Sequence, residues 1–332
     1  MAFLSPVVEN FLSTQIPPEV WHYTTVAGLE GILSTDSVWA TEAHFTTDKS
    51  EFIHAREVAI NYLASVTPID AYAAQAIDAA SGVVKFDYDE GPLSKKLTEV
   101  FVVSFSAASD LKSQWTEYAD GGRGVSLAFD LSGIRPPLNL EMGITLAPCV
   151  YEDKEKEKLL EAALSHFVET AAGLHREVQD KYWIEQKMRD WAMIQSVHGL
   201  NLDKDAFKTQ MEDNLRVQLY EAKTRSSFDL LRIASHCKDM AFEQEKEWRL
   251  ALPRLTSKPL VHGTIQYRGP NHNIPYIASN LFRNGKHLPI TRVMVGPLCE
   301  DQERIEKIIR NCGYQLDISR SAVPLRDPAK IR

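Results

Sequence analysis

The sequence predicts an α+β protein built on a mostly antiparallel or mixed sheet, with a helical block set between its strands. Three observations carry this expectation. Short stretches rich in β-branched and aromatic residues recur along the chain, the best being Val100-Phe101-Val102-Val103-Ser104-Phe105-Ser106. From Glu152 to about Ile233 the chain has almost no Gly or Pro and is rich in Glu, Lys, Leu and Ala, a helical composition. No regular strand–helix–strand rhythm runs through the chain, and no Gly-rich loop follows its first strand. Rossmann and P-loop folds are therefore excluded.

Taken in order, residues 1–19 read as a lead-in that passes Pro17-Pro18. Val20 to Thr24 then reads as a short strand. Thr24 or Thr25 is placed to cap a helix whose apolar residues Val26, Leu29, Ile32 and Leu33 have helical spacing. Ser34 to Ser37 is turn chemistry, and Val38 to Thr41 reads as a second strand. A polar loop through Asp48 leads into a helix carrying Phe52, Ile53, Ala55, Val58, Ala59 and Leu63, and a second helical pattern covers roughly Ile69 to Ala80. After the strand ending at Ser106, the Gly121-Gly122-Arg123-Gly124 turn precedes a strand with Val125, Leu127 and Phe129 in alternation. The block at 151–235 is expected to be two to four helices, with stripes such as Leu160, Leu164, Phe167 and Phe207, Met211, Leu215. Strands resume at Glu247 to Leu252. A stretch from Gly263 to Arg268 and a loop with Pro270 and Pro275 follow. The chain closes with a strand at Ile290 to Val295, a helix at Asp301 to Arg310 and a strand around Tyr314 to Ile318.

The 332 residues are 44% hydrophobic and 25% charged, enough for a sizeable core. A formal net charge of −8 leaves no global electrostatic footprint for nucleic acid or anionic membrane, although a local basic groove stays open. Cys149, Cys237, Cys299 and Cys312 form no C-x-x-C pair and read as reduced thiols of a cytoplasmic protein, not as disulfides or a zinc site. The N-terminal stretch lacks a basic n-region and a long apolar run, so no signal peptide is expected. No apolar stretch approaches the ~18 residues of a membrane span.

The chemistry-bearing stretch is Glu245-Lys246-Glu247-Trp248-Arg249-Leu250. Read as a strand, it puts Glu245, Glu247 and Arg249 in one polar row, with Trp248 and Leu250 anchoring the other face. Paired carboxylates suit a reaction that develops positive charge on a sugar carbon, and a solvated salt-bridged strand gives the same pattern. His22 can hydrogen-bond a ligand hydroxyl or be an ordinary core or surface residue. Ser104 and Ser106 share a face of their strand and need partners if buried, either a ligand or neighbouring backbone. Arg123, among three glycines, suits a diphosphate or an exposed turn. Asp48 and Glu51 have the spacing of a capping box. No histidine spacing supports a metal site.

Together these residues resemble a known family. The ordered set is Trp21-His22-Tyr23-Thr24, Gly28-Leu29-x-Gly31-Ile32-Leu33, Val38-Trp39-Ala40-Thr41, Asp48 and Glu51, and Val103-Ser104-Phe105-Ser106. Gln114-Trp115-x-x-Tyr118, Gly122-x-Gly124-Val125 and Glu245-x-Glu247-Trp248-Arg249 complete it. The set looks like the bacterial domain of unknown function 2971 family, over about residues 20 to 326, and that family is similar to ADP-ribosyltransferases. The resemblance implies a split, strongly bent mixed or antiparallel sheet clasping NAD as co-substrate. It divides the chain into a core of 20–150 and 236–326 with a helical insertion at 151–235.

It further implies cleavage of the nicotinamide–ribose bond. Glu247 would be the catalytic carboxylate, Glu245 would position the acceptor, and His22 would hold a ribose or the nicotinamide side. Tyr23, Thr24, Ser104, Ser106, Tyr118 and Arg123 are the expected NAD contacts. Either Ser104 and Ser106 or Tyr118 would serve as the second motif. The implied acceptor is a macromolecule (RNA, DNA or protein), and the implied setting is that of a toxin or antiphage effector with a possible antitoxin. NAD hydrolysis, or an inactive nucleotide-binding module, are the alternatives.

Overall fold

The computed structural model describes residues 4–46, 50–87, 98–131, 144–179, 232–255, 264–269, 271–280 and 287–326, with isolated positions between them (133, 188–190, 192–193, 209, 213, 217–218 and 229–230). The described residues fold as an α+β protein around a ten-stranded mixed, mostly antiparallel sheet. The stripe Phe207, Met211, Leu215 lies outside the described residues, as do Asp48, Gly263 and Pro270.

The lead-in is not structureless. Helix α1 (Pro6–Leu12) starts with Ser5 accepting from the Val8 amide and with Pro6 in its first turn, where a missing N–H costs nothing. Its Val8 and Leu12 are buried against the helical layer. Seven residues are too few for helical periodicity to show in sequence. Strand β1 (Glu19–Thr24) leads into α2 (Val26–Thr35), capped by Thr25, whose hydroxyl accepts from the Gly28 amide. The helix stops at Asp36 in the left-handed region, φ 48°. Strand β2 (Val38–Glu42), a 3-10 turn at Ala43–Phe45, α3 (Ser50–Ser65) and α4 (Ala71–Asp87) follow.

Strand β3 (Thr98–Ser106) is the spine of the sheet. Next in the chain come α5 (Lys112–Tyr118), β4 (Val125–Asp130), β5 (Thr145–Pro148), α6 (Asp153–Gln179) and β6 (Glu247–Leu255). The final elements are β7 (Ile265–Arg268), β8 (Ile274–Ser279), β9 (Ile290–Val295), α7 (Gln302–Asn311) and β10 (Asp317–Arg320). Strand β8 replaces the loop expected around Pro275. That proline is the second residue of β8; it stands opposite Tyr267 of β7 and one position before the first pair with β2.

On one edge β3 pairs with β6 over its full length, from Thr98 opposite Leu255 to Ser106 opposite Glu247. Two strands share the other edge. Strand β2 pairs at Phe101 and Val102, and β1 pairs only at Ser106. Between them the sheet forks into one wing of β1, β4, β9 and β10 and another of β2, β8 and β7. Only β9 and β10 run parallel among the described strands.

Two apolar layers hold this frame. Phe101, Val103, Phe105, Trp248, Leu250 and Leu252 face a core with α2 and α7. The alternate residues Val100, Val102 and Ala251 face α1, α3, α4 and α6. Along that second face the rows continue past the apolar residues as Ser104 and Ser106 on β3, and as Arg249 and Glu247 on β6. Polar side chains thus begin where the apolar packing against the helices ends. No helix among the described residues is long and apolar enough to cross a membrane.

Candidate functional site

A cleft of about 570 Å³ opens at the fork of the sheet. His22 and Thr24 reach it from β1, Ser104 and Val102 from β3, and Glu247 and Arg249 from β6. Tyr118 enters from the end of α5, Trp39 and Thr41 from β2, and Arg268 from the end of β7. Lys238 comes from the segment before β6. Residues far apart in sequence meet here because β3 is the neighbour of β1, β2 and β6.

His22 alternates along β1 with Trp21 and Tyr23, which pack on Trp115 in a separate cluster. Its Nδ1 lies 2.9 Å from the Ser104 carbonyl oxygen. A carbonyl only accepts, so Nδ1 carries the proton and donates, and Nε2 of the neutral ring is left as an acceptor. Burial lowers the His22 pKa, the Ser104 contact opposes this, and the positive charge of Arg268 lowers it further. The ring is neutral at pH 7.

The expected three-residue polar row on one strand requires correction. Glu245 closes a 3-10 turn, Met240–Glu245, and Lys246 then adopts a left-handed conformation with φ 47°. Strand β6 begins only at Glu247. Strand alternation cannot extend across this reversal of the backbone. The two carboxylates are joined instead by Lys238, whose ammonium donates to Glu245 Oε2 and to Glu247 Oε2. Arg249 donates through Nε to Glu247 Oε1 at 2.8 Å and through Nη2 to Glu247 Oε2 at 3.3 Å, with Nη1 on the Ser235 carbonyl. Tyr118 donates from its hydroxyl to Glu245 Oε1 at 3.3 Å.

All four charged groups of this cluster are buried. Burial pushes the Glu247 carboxyl up, but Arg249 and Lys238 overcome it and hold its pKa at about 2. Burial likewise works against the Lys238 charge and is overcome, chiefly by Glu247, so that its pKa is raised. The cluster is a neutral set of two carboxylates and two cations. Glu247 Oε1 receives one protein donor, from Arg249, and has capacity for a second.

The remaining expected contacts lie off the cleft wall. The Tyr23 hydroxyl donates to the Ala108 carbonyl and accepts from the Leu111 amide, tying β1 to the start of α5. Ser106 donates to the Glu245 carbonyl at 2.6 Å and accepts from the Ala108 amide, so its partners are backbone. Glu245 touches the cleft through Tyr118 and Lys238. Arg123 is exposed on the glycine turn and does not line the cleft. The glycines there serve close packing: a Cβ on Gly124 would stand 2.2 Å from the Thr24 carbonyl oxygen, and one on Gly296 would stand 2.3 Å from that of Gly122.

From sequence, Lys238 and Arg268 receive no site role, nor do Trp39 and Thr41, which enter only as part of the motif Val38 to Thr41. The Arg268 guanidinium sits 5.5 Å from the Trp39 ring centre and 5.7 Å from that of Tyr276, and Nη2 donates to Thr41 Oγ1 at 2.6 Å. Among the described residues no group of three or more His, Cys, Asp or Glu side chains is placed to hold a metal ion.

The fold and the cleft together define an α+β protein with a forked mixed sheet and a charged cleft at the fork. Residues 114–250 match the family described as Protein of unknown function (DUF2971). The match is narrower than the span of about 20 to 326 expected from the motifs. It takes in Tyr118, Lys238, Glu245, Glu247 and Arg249, while His22, Ser104 and Arg268 lie outside it. No curated protein and no solved structure matches the chain.

Proposed function

We propose that the cleft is an NAD-cleaving site of the ADP-ribosyltransferase kind, breaking the bond between nicotinamide and ribose. The observation that carries this reading is the meeting of His22 and Glu247, from strands on opposite edges of β3, in one cleft with Ser104 between them. In the reaction the C1′–N bond breaks, its electron pair leaves with nicotinamide, and positive charge grows on the ribose carbon. A carboxylate held ionised beside that carbon lowers the barrier, which is the role of Glu247. A ribose 2′-hydroxyl donates to the open position on Glu247 Oε1, and another sugar hydroxyl donates to His22 Nε2. The nucleophile bonds to C1′ through a lone pair and releases its proton to solvent water. Glu245 positions that nucleophile through Tyr118.

The acceptor is RNA, DNA, protein or water. Incubating the chain with NAD, alone and with each macromolecule, and analysing products by mass spectrometry separates these outcomes. An added ADP-ribose mass supports transfer, and free ADP-ribose supports hydrolysis. Absence of nicotinamide release under all conditions overturns both. If the protein acts as a toxin, its expression arrests growth and Glu247→Ala relieves the arrest.

A second reading has its own support. Each Glu247 oxygen already accepts from Arg249 or Lys238 in a neutral cluster, the state expected of a structural ion-pair network. On that reading the cleft binds a nucleotide without cleaving it. Calorimetry then gives a binding isotherm with NAD while nicotinamide stays bonded to ribose.

A further inference from the structure

We infer that Arg268, on the opposite wing of the fork from His22, is the phosphate-binding residue of the cleft. It takes a phosphate or diphosphate group of the nucleotide, the role first assigned to Arg123. The inference rests on reading the cleft as a nucleotide site. It does not depend on whether the nucleotide is cleaved.

The buried cations Lys156, Lys238, Arg232 and Arg249 each face a carboxylate: Asp153 for Lys156, Glu245 and Glu247 for Lys238, Asp229 for Arg232 and Glu247 for Arg249. Arg268 is partly buried, enough that desolvation lowers its pKa, yet it meets no carboxylate among the described residues. A half-desolvated cation without a counter-ion is costly unless a ligand supplies the anion.

Geometry supports the same conclusion. The guanidinium is held by two aromatic rings and by one hydrogen bond, from Nη2 to Thr41 Oγ1. Trp39 and Tyr276 themselves pack at 4.8 Å, so the platform is preformed. Of its five N–H donors the guanidinium commits one, and the rest of its planar fork fits two phosphate oxygens side by side. Its positive charge is felt at His22, which places it over the same cleft. A nucleotide with its ribose at His22 and Glu247 can therefore lay its phosphates toward β2 and β7. Arg123, exposed on its glycine turn, does not line the cleft.

Calorimetry on the full chain tests the assignment with ADP-ribose and inorganic pyrophosphate, for wild type, Arg268→Met and Arg268→Lys. Wild type is expected to bind both. Arg268→Met should weaken each by about 10- to 100-fold, the loss typical of a charge-assisted pair of hydrogen bonds. Arg268→Lys should fall between, because an ammonium keeps the charge and loses the fork. Melting curves check the fold, and should Arg268→Met melt well below wild type, the Lys variant decides. Wild-type protein that binds neither probe, or an Arg268 variant that folds and binds both as tightly as wild type, overturns the inference. Arg268-dependent binding without nicotinamide release would leave it standing while the cleavage reading fails.

Discussion

Replacing Glu247 by glutamine removes one charge and keeps the shape of the side chain, so its cost can be worked from the site. The neighbouring cations move the Glu247 pKa from an ordinary 4.5 to about 2 in spite of burial. That gap corresponds to about 3 kcal/mol favouring the carboxylate over its neutral form. Glutamine stands in for the neutral form and leaves Lys238 and Arg249 facing each other without a carboxylate between them. The expected loss of stability at pH 7 is therefore about 3 kcal/mol, within the range for breaking a buried ion pair. The pH dependence follows from the sign of the shift. A depressed carboxyl pKa contributes stability that is complete above the unfolded value and is lost as pH falls through about 2. The cost of Glu247→Gln should be equal at pH 7 and pH 5 and should shrink below about pH 4. Urea unfolding followed by tryptophan fluorescence measures this. In Lys238→Met the same substitution should cost less, with a coupling on the order of 1–3 kcal/mol. A Glu247→Gln protein within about 0.5 kcal/mol of wild type at pH 7, or a cost that grows on acidification, would refute the clasped geometry.

Two further substitutions probe the frame that carries the cleft. Gly124→Ala puts a methyl group 2.2 Å from the Thr24 carbonyl oxygen, at the junction of β1 and β4. It should destabilise the chain by about 3 kcal/mol or more, with backbone in the way that cannot rotate aside, and a melting temperature near wild type would count against that packing. For His22, nitrogen-15 spectra of the imidazole should report a proton on Nδ1 and a pKa below the ordinary 6.5. The ring then stays neutral as pH rises from 6.5 to 8, so His22 adds no pH dependence to activity across that window; a pKa above 6.5 contradicts the assignment.

Much of the frame is legible in the sequence because its signals are local. Thr25 marks the start of α2, the alternation of Phe101, Val103 and Phe105 marks β3, and Ile305, Ile308 and Ile309 bury one face of α7. Helix α1 is hidden by its length, and β8 by Pro275, which reads as loop chemistry although it sits at a strand start. The site is legible in its residue types and less so in their grouping. Glu247, Arg249, Ser104 and His22 come to one cleft, yet only the pairing of β3 with β6 and β1 brings them there, and sequence does not print pairing. Glu245 looks like a strand neighbour of Glu247 because Lys246, with its positive φ, carries no glycine or asparagine signal of a reversal. Lys238 and Arg268 carry no motif. Lys238 matters through Glu247, nine residues on but beyond a turn that the sequence does not signal, and Arg268 through Trp39 and Thr41, the latter 227 residues away, with Tyr276 beside it on the next strand.

The most direct test is the rate of nicotinamide release from NAD by wild type and by Glu247→Gln protein shown to be folded at the assay temperature. Wild type is expected to release nicotinamide, and the variant to do so about 10²–10³ times more slowly while still binding NAD. Equal rates from the two proteins, or no release from wild type, would contradict a cleft in which Glu247 and His22 act on a dinucleotide.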